Sequence, residues 1–212
     1  IPELVEGSWN LNFHLSNENI APTKFNLSKV GDKYQLEFIN GEEKIAVKSV
    51  EIDNNKITIK DPIFNTWFEG EIVNESKIKG NWYKNDKNYK IAFEANHSAG
   101  SRFEKPKVLK DFEVNLSGRW EVDFSKNNPA DHYKSIGQFN QDGNYLTGTF
   151  MTETGDYRFL EGNVYNDSLF LSCFDSPSKT VPLSPVPIFS NQRYLSFPSL
   201  HITWPTFSVN SL

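Results

Sequence analysis

Apolar and polar residues alternate along many short segments of this chain, and turn residues bound each segment. In the first one, Trp9, Leu11 and Phe13 fall on one face and polar residues on the other, which is the period of a half-buried strand. Asn40 and Gly41 predict a two-residue hairpin turn, because both positions accept positive φ. No stretch shows the 3.6-residue period of an amphipathic helix. The sequence therefore predicts an all-β fold of antiparallel hairpins.

The pattern occurs in two copies that share two sequence blocks in the same order. Residues 7–13 and 118–124 both read Gly-x-Trp-x-x-x-Phe, and residues 68–76 (FEGEIVNES) correspond to residues 160–168 (LEGNVYNDS). Two blocks in the same order indicate a tandem duplication. The distance between the blocks differs between the copies, which we interpret as divergence of internal loops.

The repeat predicts how the chain divides into modules. We predict a first β module over residues 1–95, a linker over 96–116 and a second β module over 117–175. Residues 176–212 contain six of the eleven prolines and no acidic residue. Since proline cannot donate a hydrogen bond within a sheet, we expect an atypical Pro/Ser-rich tail rather than interior strands. The second module therefore holds only the start of a barrel and is predicted to be incomplete.

The first residues of each module predict that its sheet closes into a barrel. The Gly-x-Trp openings at Trp9 and Trp120 resemble the first strand of lipocalin-like and avidin-like barrels, where the Trp closes one barrel end by packing. We predict the same structural role for both side chains. A barrel of about eight strands is either filled by side chains or holds one small ligand, and large inward residues favour the filled form. A pair of β-sandwich modules is the alternative, since alternation alone does not distinguish the two.

Charge and motifs argue against several functional classes. The net charge of −5, without a basic face, argues against a nucleic-acid partner. No phosphate-binding, dinucleotide-binding or hydrolase motif occurs. The histidines are isolated, without the spacing of a metal site: His14, His97, His132 and His201. We predict no metal, no cofactor and no catalytic residue in this chain.

Two glutamates and the single cysteine are candidates for catalytic chemistry. Glu69 and Glu161 occupy equivalent places in the two copies, but they alternate out of phase with the apolar residues, so we expect both to face solvent rather than to act as an acid–base pair. Cys173 is the single cysteine, which excludes an internal disulfide or a Cys-x-x-Cys pair. Because it lies in an apolar segment, we expect a buried, unreactive thiol.

The sequence also resembles part of a known protein family. Residues 7–175 resemble the N-terminal region of thioredoxin-like (TlpA-type) disulfide reductase lipoproteins of Gram-negative bacteria, and the first copy matches more loosely than the second. The most specific matches are GRWEV at 118–122, TGTF at 147–150, TGDYRFLEG at 154–162 and LSCFD at 171–175. In that family the region precedes a thioredoxin-fold domain with a Trp-Cys-x-x-Cys pair, and no position here matches that pair.

The resemblance implies a functional context without a catalytic residue. It implies a non-catalytic accessory domain of an envelope thiol-disulfide reductase, whose partners are its own C-terminal thioredoxin domain or client proteins. It also implies a periplasmic location, with membrane contact only through a lipid anchor of the parent protein. The chain begins at Ile1 without a leader, so we expect a processed or truncated product. The alternative function is a stand-alone β-barrel that binds a small apolar ligand.

The sequence departs from this family after Asp175. Members of the family continue with alternating strands, whereas this chain continues with its Pro/Ser-rich residues. We expect a shifted reading frame or an aberrant terminus, and a genuine but divergent extension is the alternative.

Overall fold

The described part of the chain consists of β-strands, turns and connecting segments. The computed structural model describes residues 3–14, 20–60, 65–84, 88–98, 100–105, 107, 115–124, 129–130, 132–153, 155–165, 168–173, 186–187, 194–196 and 200–203. Within these ranges every regular element is a strand, which confirms the predicted all-β class. The chain divides into two compact units, the first containing Ile1–Arg102 and the second beginning at Phe103.

The first unit is a nearly closed antiparallel barrel. Its described strands are β1 (Gly7–His14), β2 (Ile20–Val30), β3 (Lys33–Asn40), β4 (Glu43–Val47), β5 (Val50–Asp53), β6 (Lys56–Lys60), β7 (Thr66–Asn74), β8 (Lys77–Lys84) and β9 (Tyr89–His97). They follow the order β4-β3-β2-β1-β9-β8-β7-β6-β5. Only Lys48 and Ser49 separate the two edge strands β4 and β5, so the sheet curls until its edges nearly meet. A single curled sheet agrees with the predicted barrel and differs from the sandwich alternative.

Aromatic rings fill the middle of this barrel. Alternate residues of each strand point inward, and the side chains of Trp9, Phe38 and Phe68 are almost completely buried. The rings of Phe38 and Phe68 stack with centroids 5.7 Å apart, and Phe93 meets Phe68 edge-on at 5.3 Å. Ring contacts at these distances leave no room for a ligand between them. The middle of the barrel is therefore packed core.

The second unit contains an open sheet. Its described strands are β10 (Gly118–Phe124), β11 (Tyr133–Asp142), β12 (Tyr145–Thr152), β13 (Gly155–Tyr165), β14 (Ser168–Ser172), β15 (Val186–Pro187), β16 (Tyr194–Ser196) and β17 (Leu200–Thr203). Strands β10 to β14 form a continuous antiparallel meander. The described strands end at β15 on one side and β16 on the other, so this sheet does not close. This agrees with the predicted incomplete second module.

Three short strands of the Pro/Ser-rich segment join this sheet, which the sequence did not predict. Strand β15 pairs with β14, and β17 pairs with β10. The proline of β15 lies opposite Phe170 in an edge strand of two residues, a position where the missing N–H is tolerated. Proline is thus tolerated in β15 at the sheet edge, but β17 lies between β10 and β16, so the expectation that this segment contributes no interior strand is wrong.

The number of strands between the two duplicated blocks differs between the units. In the first unit residues 7–13 lie on β1 and residues 68–76 begin on β7, whereas in the second unit the corresponding blocks lie on β10 and β13. Three further strands, β4 to β6, therefore separate the blocks of the first unit. The unequal spacing reflects whole strands rather than the divergent loops that we inferred from the sequence.

Candidate functional site

Trp9 and Trp120 occupy equivalent structural positions. The indole Nε1–H of Trp9 donates to the carbonyl of Val5 at 2.9 Å, and that of Trp120 donates to the carbonyl of Leu116 at 2.7 Å. Both donors reach four residues back, and both rings are buried. A buried indole whose N–H is already bonded has no group to offer a ligand. These two residues therefore anchor the core from the first strand of each unit.

The two equivalent glutamates have different environments, and the solvent-facing prediction is wrong for one of them. Glu69 is half-buried and accepts a hydrogen bond from Trp67 Nε1 at 3.1 Å. Glu161 is buried, with 8% of its surface exposed. The prediction failed because both faces of β13 are covered: Leu160 is buried on one face, and Glu161 shares the other with buried residues further along the strand.

The covered outer face of β13 has an identifiable cause. The ring of Phe170 on β14 lies 6.1 Å from Tyr165, and Phe103 packs on Phe170 at 5.7 Å. A bulge at Phe159, whose φ is 57°, also interrupts the alternation before this segment. Simple alternation fails where a bulge resets the phase and a second layer covers the outer face.

Cys173 lies inside the second unit and is 4% exposed. This agrees with the predicted buried thiol. In the described ranges no three His, Cys, Asp or Glu side chains are grouped closely enough to hold a metal ion. Within the same ranges no helix has the length and apolar character needed to cross a membrane. His97 packs edge-on against Trp9 with ring centroids 5.8 Å apart.

The first unit's barrel has chemically different ends. One end is apolar and is lined by the buried side chains of Trp9, Leu27, Leu36, Ile72 and Ile78. The other end is reached by following the inward positions of β3 and β7 one step beyond Phe38 and Phe68. Those positions are Asn40 and Thr66, and both side chains are buried. A polar layer thus lies directly beyond the aromatic core.

Two further side chains belong to this polar end. Continuing the β2–β3 register by one pair beyond Lys24 and Ile39 places Thr23 opposite Asn40. Trp82 lies opposite Phe68, and its ring meets Phe13 edge-on at 6.1 Å. We refer to Thr23, Asn40, Thr66 and Trp82 as the polar end of the barrel.

Two atoms at the polar end have unsatisfied hydrogen-bonding capacity. Thr23 is 2% exposed and Trp82 is 8% exposed. Thr23 Oγ1 and Trp82 Nε1 are buried and have no hydrogen-bond partner among the described residues. Leaving such a group buried without a partner costs about 1–3 kcal/mol each. Two of them on inward positions at one end mark a place where this barrel would gain from a polar ligand atom.

Opposite charges stand at the rim of the polar end. Lys84 lies opposite Thr66 on the inward register of β8, and Glu43 lies opposite Asn40 on β4. Asn40 Nδ2 donates to Glu43 Oε2 at 3.3 Å. Tyr89 is 43% exposed, and its ring contacts the edge of Trp82 at 6.2 Å. As far as its residues are described, the rim therefore combines one cation, one anion and an accessible ring.

The sequence analysis did not identify the polar end because only tryptophans in the repeated Gly-x-Trp motif were candidates for a role. Trp9 and Trp120 stood out through the repeated Gly-x-Trp opening, whereas Trp82 is part of no motif. The available signal was the phase of Thr23, which falls on the same alternation as the apolar Phe25 and Leu27. A polar residue in phase with a buried face is a candidate for a buried polar contact.

A pair of tyrosines lies on the inner face of the second unit. The hydroxyl oxygens of Tyr133 and Tyr157 are 3.3 Å apart, and the ring of Phe124 stacks on Tyr133 at 4.6 Å. Burial, and next the hydrogen bond to Tyr157, raise the pKa of Tyr133 well above its ordinary value of 10.0. This hydroxyl therefore keeps its proton in the folded protein at pH values where an ordinary tyrosine loses it.

The raised pKa predicts a loss of stability in alkaline solution. Because the folded state holds this proton more tightly than the unfolded state, the free energy of unfolding should fall as pH rises above about 10. Urea unfolding at pH 8 and at about pH 11 measures that fall. Tyr133→Phe should reduce it, whereas Tyr145→Phe, which removes a tyrosine hydroxyl from β12 of the same unit, should not. An equal effect of the two substitutions would contradict the assignment.

Comparisons with known proteins leave the family open. No protein-family model, no curated protein and no solved structure matches this chain. The resemblance of residues 7–175 to the reductase lipoproteins remains a prediction from the residues that carry it.

Proposed function

We propose that this chain is the non-catalytic accessory domain of an envelope thiol-disulfide reductase. The observation that carries the proposal is the resemblance of residues 116–175 to the region that precedes the thioredoxin-fold domain in the TlpA-type lipoproteins. The parent protein would be periplasmic and anchored by a lipid. The chain itself would position the redox domain or engage client proteins.

The chemistry of the second unit supports a non-catalytic role. Thiol–disulfide exchange requires a thiolate that can reach the sulfur it attacks. Cys173 is 4% exposed and is the single cysteine, so the chain offers neither access nor a second thiol to resolve a mixed disulfide. Redox turnover would then belong to the partner domain.

We expect the isolated chain to be inactive in thiol exchange. It should not accelerate the reduction of insulin by dithiothreitol beyond the rate of its Cys173→Ser variant. A thiol reagent should label Cys173 slowly in the native protein and rapidly in urea, because unfolding exposes the sulfur. Insulin reduction that depends on Cys173, or rapid native labelling, would contradict the proposal.

The family context has its own test in the encoding DNA. Translation beyond codon 175 in all three frames should reveal alternating strands followed by a Trp-Cys-x-x-Cys segment. If no frame encodes such a segment, the accessory role is wrong and the chain acts without a redox domain.

The second candidate function is a stand-alone ligand-binding barrel. The observation that favours it is a pair of buried atoms, Thr23 Oγ1 and Trp82 Nε1, for which the described residues provide no hydrogen-bond partner. The packed rings in the middle of the barrel restrict any ligand to the polar end. This role and the accessory role are compatible, since an accessory domain can also bind a small molecule.

A further inference from the structure

We propose that the polar end of the first unit's barrel binds an uncharged, ring-sized apolar compound through a hydrogen-bond-accepting oxygen. The proposal rests on the second candidate function and names the site and the chemical class of its ligand. It starts from Trp82 Nε1 and Thr23 Oγ1, which are buried on the inward face and have no partner among the described residues.

The two atoms define the polar requirement of the ligand. An indole N–H can only donate a hydrogen bond, whereas a threonine hydroxyl can donate or accept one. An oxygen acceptor, such as a ketone or an ether, would satisfy the Trp82 donor and could also accept from Thr23. A pure hydrocarbon would leave both atoms unpaired. Binding should therefore discriminate between compounds of equal shape that differ in one oxygen.

The neighbouring rings define the apolar part of the ligand. Phe13 lies 6.1 Å from both Trp82 and Phe68, and Tyr89 contacts Trp82 from the exposed side. These rings offer edge and face contacts to a flat apolar body. Because Phe38 and Phe68 already stack in the middle of the barrel, a ligand at this end must lie beyond them, which favours one ring over a long chain.

The rim charges argue for an uncharged ligand. Lys84 and Glu43 stand on the inward register of β8 and β4 and carry opposite charges. Glu43 accepts a hydrogen bond from Asn40, which holds its carboxylate beside the polar layer. Among the described residues of the rim these two charges cancel, so the rim carries no net charge that would favour a ligand ion of either sign.

The indole N–H resonances provide a direct test. The chain has five tryptophans, each with one such resonance in a ¹H–¹⁵N spectrum, and Trp82→Phe identifies that of Trp82 by its loss. The probes are acetophenone and ethylbenzene, which differ in the carbonyl oxygen. Acetophenone should shift the Trp82 resonance saturably and downfield, as a new acceptor at the N–H requires, and ethylbenzene should bind more weakly.

Thr23→Val separates binding from folding. Removing a buried hydroxyl that has no partner should raise the thermal midpoint of the ligand-free protein by a few degrees. The same change should weaken acetophenone binding by about threefold to tenfold. Thr58→Val, at a half-buried threonine on the outer face of β6, is the matched control and should leave acetophenone binding unchanged.

Each result decides the proposal. A saturable shift of Trp82 that Thr23→Val weakens would support it. If acetophenone shifts another indole and leaves Trp82 unchanged, this site is wrong while a ligand-binding function survives. If neither probe binds at millimolar concentration, both the proposed site and the ligand-binding function are wrong. If ethylbenzene binds as tightly as acetophenone, the oxygen requirement is wrong.

Discussion

Replacing Trp9 with alanine is expected to lower the free energy of unfolding of the first unit by about 3–5 kcal/mol. The side chain is completely buried, stacks on Phe25 with ring centroids 5.8 Å apart and donates its N–H to the Val5 carbonyl. Truncation would remove these ring contacts and leave a cavity between strands that cannot easily collapse. It would also leave the Val5 carbonyl without this donor. The same substitution at Trp120 should act on the second unit with a similar magnitude.

Urea unfolding, followed by circular dichroism, measures the loss. Trp67→Ala is the matched control, because Trp67 is half-buried and stacks on Tyr83 at 5.3 Å on the outer face of the barrel. Its truncation should cost about 1 kcal/mol, the value of an exposed aromatic pair with partial burial. A loss below about 1 kcal/mol for Trp9→Ala would show that this residue is not a core anchor.

Replacing Gly80 with alanine is expected to cost about 3 kcal/mol or more, at the upper end of the effects of overpacking. A Cβ at this position would lie 2.1 Å from the carbonyl oxygen of Glu69 and 2.6 Å from the Cα of Gly70. Both are backbone atoms of the neighbouring strand and cannot rotate away. The β7–β8 pair would have to separate, and the hydrogen bonds around it would weaken.

Gly100→Ala is the control for this substitution. Gly100 is exposed, and a Cβ there would approach only the Ser98 hydroxyl, at 3.2 Å, which can rotate. It should therefore change the free energy of unfolding by less than about 0.5 kcal/mol. Equal midpoints for the two variants in urea would contradict the close approach of β7 and β8 at Gly80.

Local signals predicted the strands well because alternation and turn residues act over a few positions. Asp53, Asn54 and Asn55 are turn-forming residue types, and Asn54 has a positive φ of 53° in the turn between β5 and β6. The hairpin at Asn40 was predicted one residue early: Gly41 and Glu42 form the turn, and Gly41 alone of the two has positive φ. Asn40 instead ends β3 with its side chain buried and bonded to Glu43.

The burial of Glu161 and the hydrogen bonding of Thr23 could not be predicted from the sequence, because both depend on which elements pack against each other. Glu161 has the alternation of an exposed residue, yet it is buried on a face of β13 where, further along, Phe170 packs against Tyr165 and Phe103. Thr23 showed its inward phase in the sequence. Whether its hydroxyl would find a partner depended on side chains from β1, β3 and β8, which only the curled sheet brings together.

The sequence by itself determined the all-β class, the two copies and the buried positions of their opening tryptophans, because strand period and turn chemistry are local properties. Tertiary structure decided that the first sheet curls until its edge strands β4 and β5 nearly meet, whereas the described strands of the second sheet end at β15 and β16. It also decided that Thr23 Oγ1 and Trp82 Nε1, at one end of the barrel, have no hydrogen-bond partner in the described part of the chain. That outcome follows from the shape of a closed sheet, in which inward side chains from distant strands share one small space.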